Sequence, residues 1–245
     1  MRTITFFSTM PGVADVFPVI EAKQYRPNWI AQARASYLKT QEESNGDKFS
    51  HIYRCPGIFD IMSAGYIVPL PWDITIETNG DGQGFRWTVP TADLPKLAGT
   101  QLVSIHTAAN ILESLPQRPG CLQSIIKFNT PWHVVAPPGV RFLAIPVPYT
   151  DTFEFEHNHG MLDPGFSTEI NPQVWWKMLN GKHTVKAGTP MVQLIPLTEE
   201  KFNLKVQDAT EKEIAWAKKK EYLRNMSFVF NRTFVKNMYL KHFYK

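Results

Sequence analysis

From Pro131 to Leu197, short runs of β-branched and aromatic residues alternate with turn signals at almost regular spacing, and this rhythm limits the fold more than any other feature of the chain. With SIIKF just ahead of them, the runs WHVVA, VRFLAIPV and FEFEH are short and suit a pleated surface. Asn129-Thr130-Pro131, Pro137-Pro138-Gly139 and Thr150-Asp151-Thr152 separate them. A DPGF turn follows, then a strand at TEINPQVWW, a two-residue turn at Asn180-Gly181, HTVKAGTP, and a closing strand MVQLIPL. Many short strands without long helices between them predict a sandwich or barrel whose pairing is mostly antiparallel.

The preceding half reads as support for that core. TITFF is a first strand, and PNWIAQARASYLK places Trp29, Ile30, Ala33, Tyr37 and Leu38 at helical spacing behind Pro27, which a first helical turn accepts. A turn at Asn45-Gly46 follows, then a helical turn or two after Cys55-Pro56-Gly57. YIVPL, the alternating DITIET and FRWTV form a β-meander around the NGDGQG turn. SIHTAANILESL is either helical or irregular. No apolar run is long enough to span a bilayer, and no cleaved secretory signal is expected from MRTITFFSTMPGV. Cys55 and Cys121 are expected as reduced thiols rather than a disulfide framework.

The order of pieces in the central stretch resembles the dUTPase and dCTP deaminase family, which has a β-clip fold. The matching residues are Pro138-Gly139, Gly160-Met161-Leu162-Asp163-Pro164-Gly165-Phe166, Asn180, and Gly188-Thr189-Pro190-Met191-Val192-Gln193-Leu194. The resemblance implies a trimeric assembly and places Asp163, Phe166 and Gln193 near a ligand. The family's catalytic serine motif has no counterpart, because the corresponding place reads Ile145 to Tyr149, IPVPY. Phosphates need cations and oriented donors, so the resemblance transfers a fold more readily than a reaction. CPGIFDIMSAGYIVPLPWDI, KFNTPWHVVAPPGVRFLAIP, the GMLD turn and KAGTPMVQLIPL also make most of the chain similar to a family of proteins encoded by marine tailed phages, a family that names no activity.

Three constellations could carry chemistry. His157-Asn158-His159, with Asp163 and Glu169 beyond it, is the one metal-like cluster, since two histidines at i and i+2 of a strand share a face. It is similar to the first metal motif of the cupins, but the second motif is missing, and the preferred reading is a polar pair beside a turn with no metal. Asp163-Pro164-Gly165 has a second explanation as a β-turn chosen for its geometry, with Phe166 in the core. Trp175-Trp176 puts one indole on each face of a strand, one for the core and one for an interface or ligand. No nucleophile elbow, P-loop or dinucleotide fingerprint occurs.

Thr210-Glu211-Lys212-Glu213 is a capping box that predicts a helix start. Residues 218–245 hold eight Lys or Arg against the single acid Glu221, a charge of +7 that leaves −3 for the rest of a chain whose net charge is +4. Such a tail suits a solvated helix face, an acidic neighbour, or nucleic acid, on which its interleaved aromatics could stack.

The expectation is therefore a mainly β protein: a β-clip (dUTPase-like) sandwich or barrel core over 1–209, with a short N-terminal helix and a basic C-terminal helical arm over 210–245. Its expected role is that of a phage-encoded, non-enzymatic assembly or interaction protein such as a virion accessory or head-decoration protein. It would form a homo-oligomer, with a trimer favoured, in the host cytoplasm or the virion. A phage structural protein is the expected partner, with nucleic acid reached through the arm, no membrane and no cofactor. The alternatives are a dUTPase-like nucleotide-binding or nucleotide-hydrolysing protein using Asp163, Phe166 and Gln193, and a cupin-like metalloenzyme using His157 and His159.

Overall fold

The computed structural model describes residues 1–45, 49–91, 101–106 and 116–227, the side chains of 223–227 excepted. Among these residues the fold is mainly β. In chain order the strands are β1 (Thr3–Ser8), β2 (Ile20–Glu21), β3 (Tyr66–Pro69), β4 (Ile74–Asn79), β5 (Phe85–Thr88), β6 (Val103–His106), β7 (Ile125–Phe128) and β8 (Trp132–Val135). They continue as β9 (Phe142–Ile145), β10 (Phe155–His157), β11 (Gly160–Leu162), β12 (Gln173–Trp176), β13 (Asn180–Val185), β14 (Pro190–Pro196) and β15 (Asn203–Asp208). The α-helices are α1 (Val13–Val16), α2 (Trp29–Glu43), α3 (Pro56–Ser63) and α4 (Glu211–Ser227).

The strands form four sheets, with orders β15-β1-β8, β10-β12-β7-β6, β11-β9-β14-β3-β2 and β13-β4-β5. The named strand pairs are antiparallel except β1 with β15, which run parallel from Thr3 opposite Asn203 to Ser8 opposite Asp208. The predominance of antiparallel pairing agrees with the sequence. β1 is the middle strand of its sheet, and its neighbouring Phe6 and Phe7 are both 0% exposed, so it is covered on both faces. Burying such side chains contributes about 1.5–3 kcal/mol each. Phe6 meets Tyr66 at 5.2 Å between ring centroids, and Phe7 stacks on His133 at 5.1 Å.

Two large apolar clusters make the core. One joins β1, β8, β9 and β14 through Ile4, Phe6, Trp132, Phe142, Val192 and Leu194. The other joins β4, β7, β12 and β13 through Ile74, Ile76, Phe128, Val174, Trp176 and Val185. Strand β14 serves both, because consecutive side chains point to opposite faces: Met191 belongs to the second cluster and Val192 to the first.

Several expectations change in the structure. The strand predicted over TEINPQVWW contracts to β12, and Glu169 makes only an isolated bridge with His133. Asn180-Gly181 is not a hairpin turn. It opens β13, with Asn180 opposite Asn79 and Gly181 opposite Thr78, and the glycine is used for its positive φ of 92° inside the ladder. Trp175 and Trp176 do point to opposite faces, yet both are buried: Trp176 in the second large cluster, Trp175 in a small one with Ile125 and Cys121. Trp175 is therefore a packing residue, which removes the interface or ligand role expected of one of the pair. Helix α2 forms as the periodicity predicts, although none of its residues is fully buried. It is held at one edge, where Trp29 Nε1 donates to the Tyr149 carbonyl at 2.8 Å and Tyr37 packs among Phe49, His51 and Tyr53. Of SIHTAANILESL, residues 104–106 belong to β6 and residues 107–115 lie outside the described residues, as does the Gly46 half of the Asn45-Gly46 turn.

Candidate functional site

Strands β10 and β11 are consecutive but belong to different sheets, and the two-residue passage from one to the other, Asn158-His159, organises the site. β10 ends at His157, paired with Val174 of β12, while β11 begins at Gly160, paired with Ala144 of β9. Asn158 anchors the passage by donating its backbone N–H to the Gln173 carbonyl at 2.7 Å. Beneath it, at the seam between the two sheets, lies a cavity of about 490 Å³. Its apolar wall includes Ala144, Ile170, Val192 and Leu194, and its polar rim includes Lys127, His157, Asn158 and Glu169. This volume is within the range of about 300–1,000 Å³ typical of small-molecule sites.

His157 and His159 both border the cavity but at different depths: His157, on the same inward face of β10 as Phe155, is 7% exposed, whereas His159, beyond the end of the strand, is exposed. Among the described residues no group of three or more His, Cys, Asp or Glu is placed to hold a metal ion. His157 Nδ1 and Asn158 Oδ1, on adjacent residues at the cavity, have no hydrogen-bond partner.

Burial pushes the His157 imidazole down to about 4, with a backbone contact at Asn158 opposing the shift and His159 adding to it. The ring is therefore neutral at pH 7. Its unfolded-state value is near 6.5, so as pH falls the unfolded chain takes up the proton first. The stability is present above pH 6.5 and is lost toward pH 4. Between pH 7 and pH 5 the loss should reach about 2 kcal/mol. Urea unfolding midpoints at the two pH values check this, and His157→Phe should flatten the dependence.

The DPGF segment lies immediately beyond β11. Asp163 accepts three hydrogen bonds, its carbonyl from the N–H groups of Phe166 and Ser167 at 2.9 Å each and its Oδ1 from Gly165 N–H at 2.9 Å. The turn geometry is therefore written into the aspartate, as an Asx turn requires. Helix α4 closes over this turn. Lys220, only 1% exposed, donates from Nζ to the Gly165 carbonyl, and the same ammonium lies 5.2 Å from the centre of the Trp216 ring. Lys218 and Lys219 are exposed, so the three-lysine run splits into one buried anchor and two surface residues. The helix starts where the capping box predicts: Glu213 N–H donates to Thr210 Oγ1 at 3.3 Å and Thr210 N–H to Glu213 Oε2 at 2.8 Å. Arg232, Lys236, Lys241 and Lys245 lie outside the described residues, as does the side chain of Arg224.

Gln193 sits elsewhere in the fold. It is 0% exposed, and its Nε2 donates to the carbonyls of Ile61 and Ala64 at 2.7 and 2.6 Å, satisfying the end of α3. Asp163, Phe166 and Gln193 are not among the residues lining the cavity, whereas their sequence neighbours Leu162, Ser167, Val192 and Leu194 are. Lys127, Asn158 and Asn171, which also border it, carry no sequence signal, because they meet only when two sheets come together.

No family model matches the sequence, and no curated protein matches it. Among solved structures, that of EIAV dUTPase in its native form is similar over 57% of this chain and 83% of that chain, with 14% identity and a TM-score of 0.29. A likeness this distant leaves the site to be argued from this chain's own residues.

Proposed function

We propose that this chain is a non-enzymatic assembly or interaction protein with a β-clip-like core, acting as a homo-oligomer, with a trimer favoured. The observation that carries the reading is the seating of Lys220 on the Gly165 carbonyl. The DPGF turn, where the resemblance expects a ligand, is engaged from above by the chain's own α4, and Gln193 is committed to α3. The segment Ile145–Tyr149 contains no serine, arginine or glycine to serve phosphate chemistry. A helix anchored at its buried lysine and followed by an aromatic and basic segment suits a part that reaches a neighbouring subunit or partner. On the phage resemblance, the role is that of a virion accessory or head-decoration protein, found in the host cytoplasm or the particle, with the basic segment available to nucleic acid.

Light scattering on the full chain tests the proposal, and a trimeric mass is expected. A chain ending at Ala209 should lose that mass while keeping its β-sheet circular dichroism. A full-length monomer at micromolar concentration would overturn the oligomeric reading. The dUTPase-like reading instead requires that a millimolar deoxynucleotide raise the melting temperature, since a ligand of the native state stabilises by mass action. An unchanged melting temperature would remove its support.

A further inference from the structure

Helix α2 carries a face that its own protein leaves uncovered. Ile30, Ala33, Tyr37, Thr40 and Ser44 recur at helical spacing and are half-buried, which marks the side turned toward the protein. Rotated from them by about a third of a turn, Ala31, Arg34, Ala35, Leu38 and Glu42 form a second row, and every one of them is exposed, Leu38 at 47%. With 15 residues, no fully buried side chain and no capping hydrogen bond from the Asn28 side chain, α2 is short of packing. Isolated helices of that length are marginal, and helices in proteins draw most of their stability from a packed face. The charges of the second row are ordered about its one large apolar residue. Arg34 lies one turn before Leu38 and Glu42 one turn after it, and among the described residues neither makes an ion pair. Their neighbours Lys39 and Glu43 pair with each other.

We propose that this face joins α2 to the α2 of a second copy of the chain, antiparallel, across a two-fold axis at Leu38. The two Leu38 side chains then meet on the axis. A helix rises about 1.5 Å per residue, so Arg34 stands about 6 Å to one side of the axis and Glu42 about 6 Å to the other. The two-fold brings Arg34 of each copy level with Glu42 of the other, twice over, as a self-complementary contact requires. A parallel pairing would set Arg34 against Arg34 and Glu42 against Glu42, so the order of the charges selects the antiparallel one. Ala31 and Ala35 add little bulk, which lets the axes approach to about 8–10 Å and the long Arg34 side chain span the seam. Exposed ion pairs add little affinity, so their part here is to fix direction and register while Leu38 supplies the apolar contact. One helix laid on one helix buries less than the roughly 1,200 Å² of a stable interface, so the contact is weak and forms where copies are concentrated. It adds to the oligomer proposed above and does not depend on it.

Sedimentation equilibrium of the full chain, from micromolar to millimolar concentration, tests the proposal. The mass found at micromolar concentration should at least double, with a dissociation constant on the order of 100 micromolar, in keeping with so small an interface. Arg34→Glu sets carboxylate against carboxylate at both ion pairs and should weaken this association at least about tenfold. Glu42→Arg should do the same. The chain carrying both substitutions restores opposite charges and should recover the association. Both positions are exposed, so all three variants should keep the native unfolding midpoint. A mass constant up to millimolar concentration would overturn the proposal, as would an association that Arg34→Glu leaves unchanged, or a doubly substituted chain that associates no better than the single variants. A chain that is monomeric at micromolar concentration and pairs through α2 above it overturns the oligomeric reading while upholding this contact, so the two fail separately.

Discussion

Gly65→Ala should abolish the native fold or cost more than about 4 kcal/mol, the range reserved for substitutions that break a packed backbone contact. Gly65 has φ of 73°, and a Cβ built on it would stand 2.1 Å from the Leu194 carbonyl oxygen and 2.9 Å from Ile195 Cα. Both obstacles are backbone atoms of β14, the strand that serves both large core clusters, so neither can step aside as a flexible side chain would. The glycine carbonyl also accepts the Ala22 N–H at 2.8 Å, which ties the N-terminal segment to the same point. Soluble yield and the urea midpoint measure the effect. Gly57→Ala, where an added Cβ meets nothing within 4 Å, is the matched control and should change little.

Gln193→Glu should be nearly as damaging, at about 3–5 kcal/mol, the cost of leaving a buried charge uncompensated. The substitution replaces a donor shared by the Ile61 and Ala64 carbonyls with an oxygen that faces both, at a position with no exposure. Gln193→Met keeps the shape but removes the amide donor from both carbonyls, leaving Ile61 only the long bond from Ala64 N–H at 3.4 Å, and it should cost about 1–3 kcal/mol. Chemical unfolding of the two variants separates these effects. A residue whose work was to touch a ligand would leave the unfolding midpoint unchanged in both.

These two positions show what could be read from the sequence. The strands announced themselves because each carries its signal locally: β4 alternates Ile74 and Ile76 with Thr75 and Glu77, and the capping box at Thr210 and Glu213 satisfies itself within four residues. β15 carries the same alternation, Leu204 and Val206 between Asn203, Lys205 and Gln207, and both pack on the first large cluster. Its parallel pairing with β1, some 200 residues earlier, has no such local sign. The candidate site was legible only as a neighbourhood. His157 stood out by type and is buried on the same face of β10 as Phe155, but the apolar residues that share its cavity come from β14 and from the Ile170 segment. Gln193 sat in a motif suggestive of a ligand, yet its amide was claimed by a helix more than a hundred residues earlier. Contacts of that range leave no trace in a local pattern.

The parallel pairing of β1 with β15 has a consequence during synthesis. At about 5–20 residues per second, some 200 residues separate the emergence of the two strands, an interval of about 10–40 seconds. During that time Ile4, Phe6 and Phe7, all destined for complete burial, lack the partner that finishes their sheet on one side. The other side, β8, is itself more than a hundred residues downstream. The nascent chain thus carries a sticky leading segment on the ribosome, and closure of its first sheet is one of the last folding steps, the slow kind of pairing that favours escort by a chaperone.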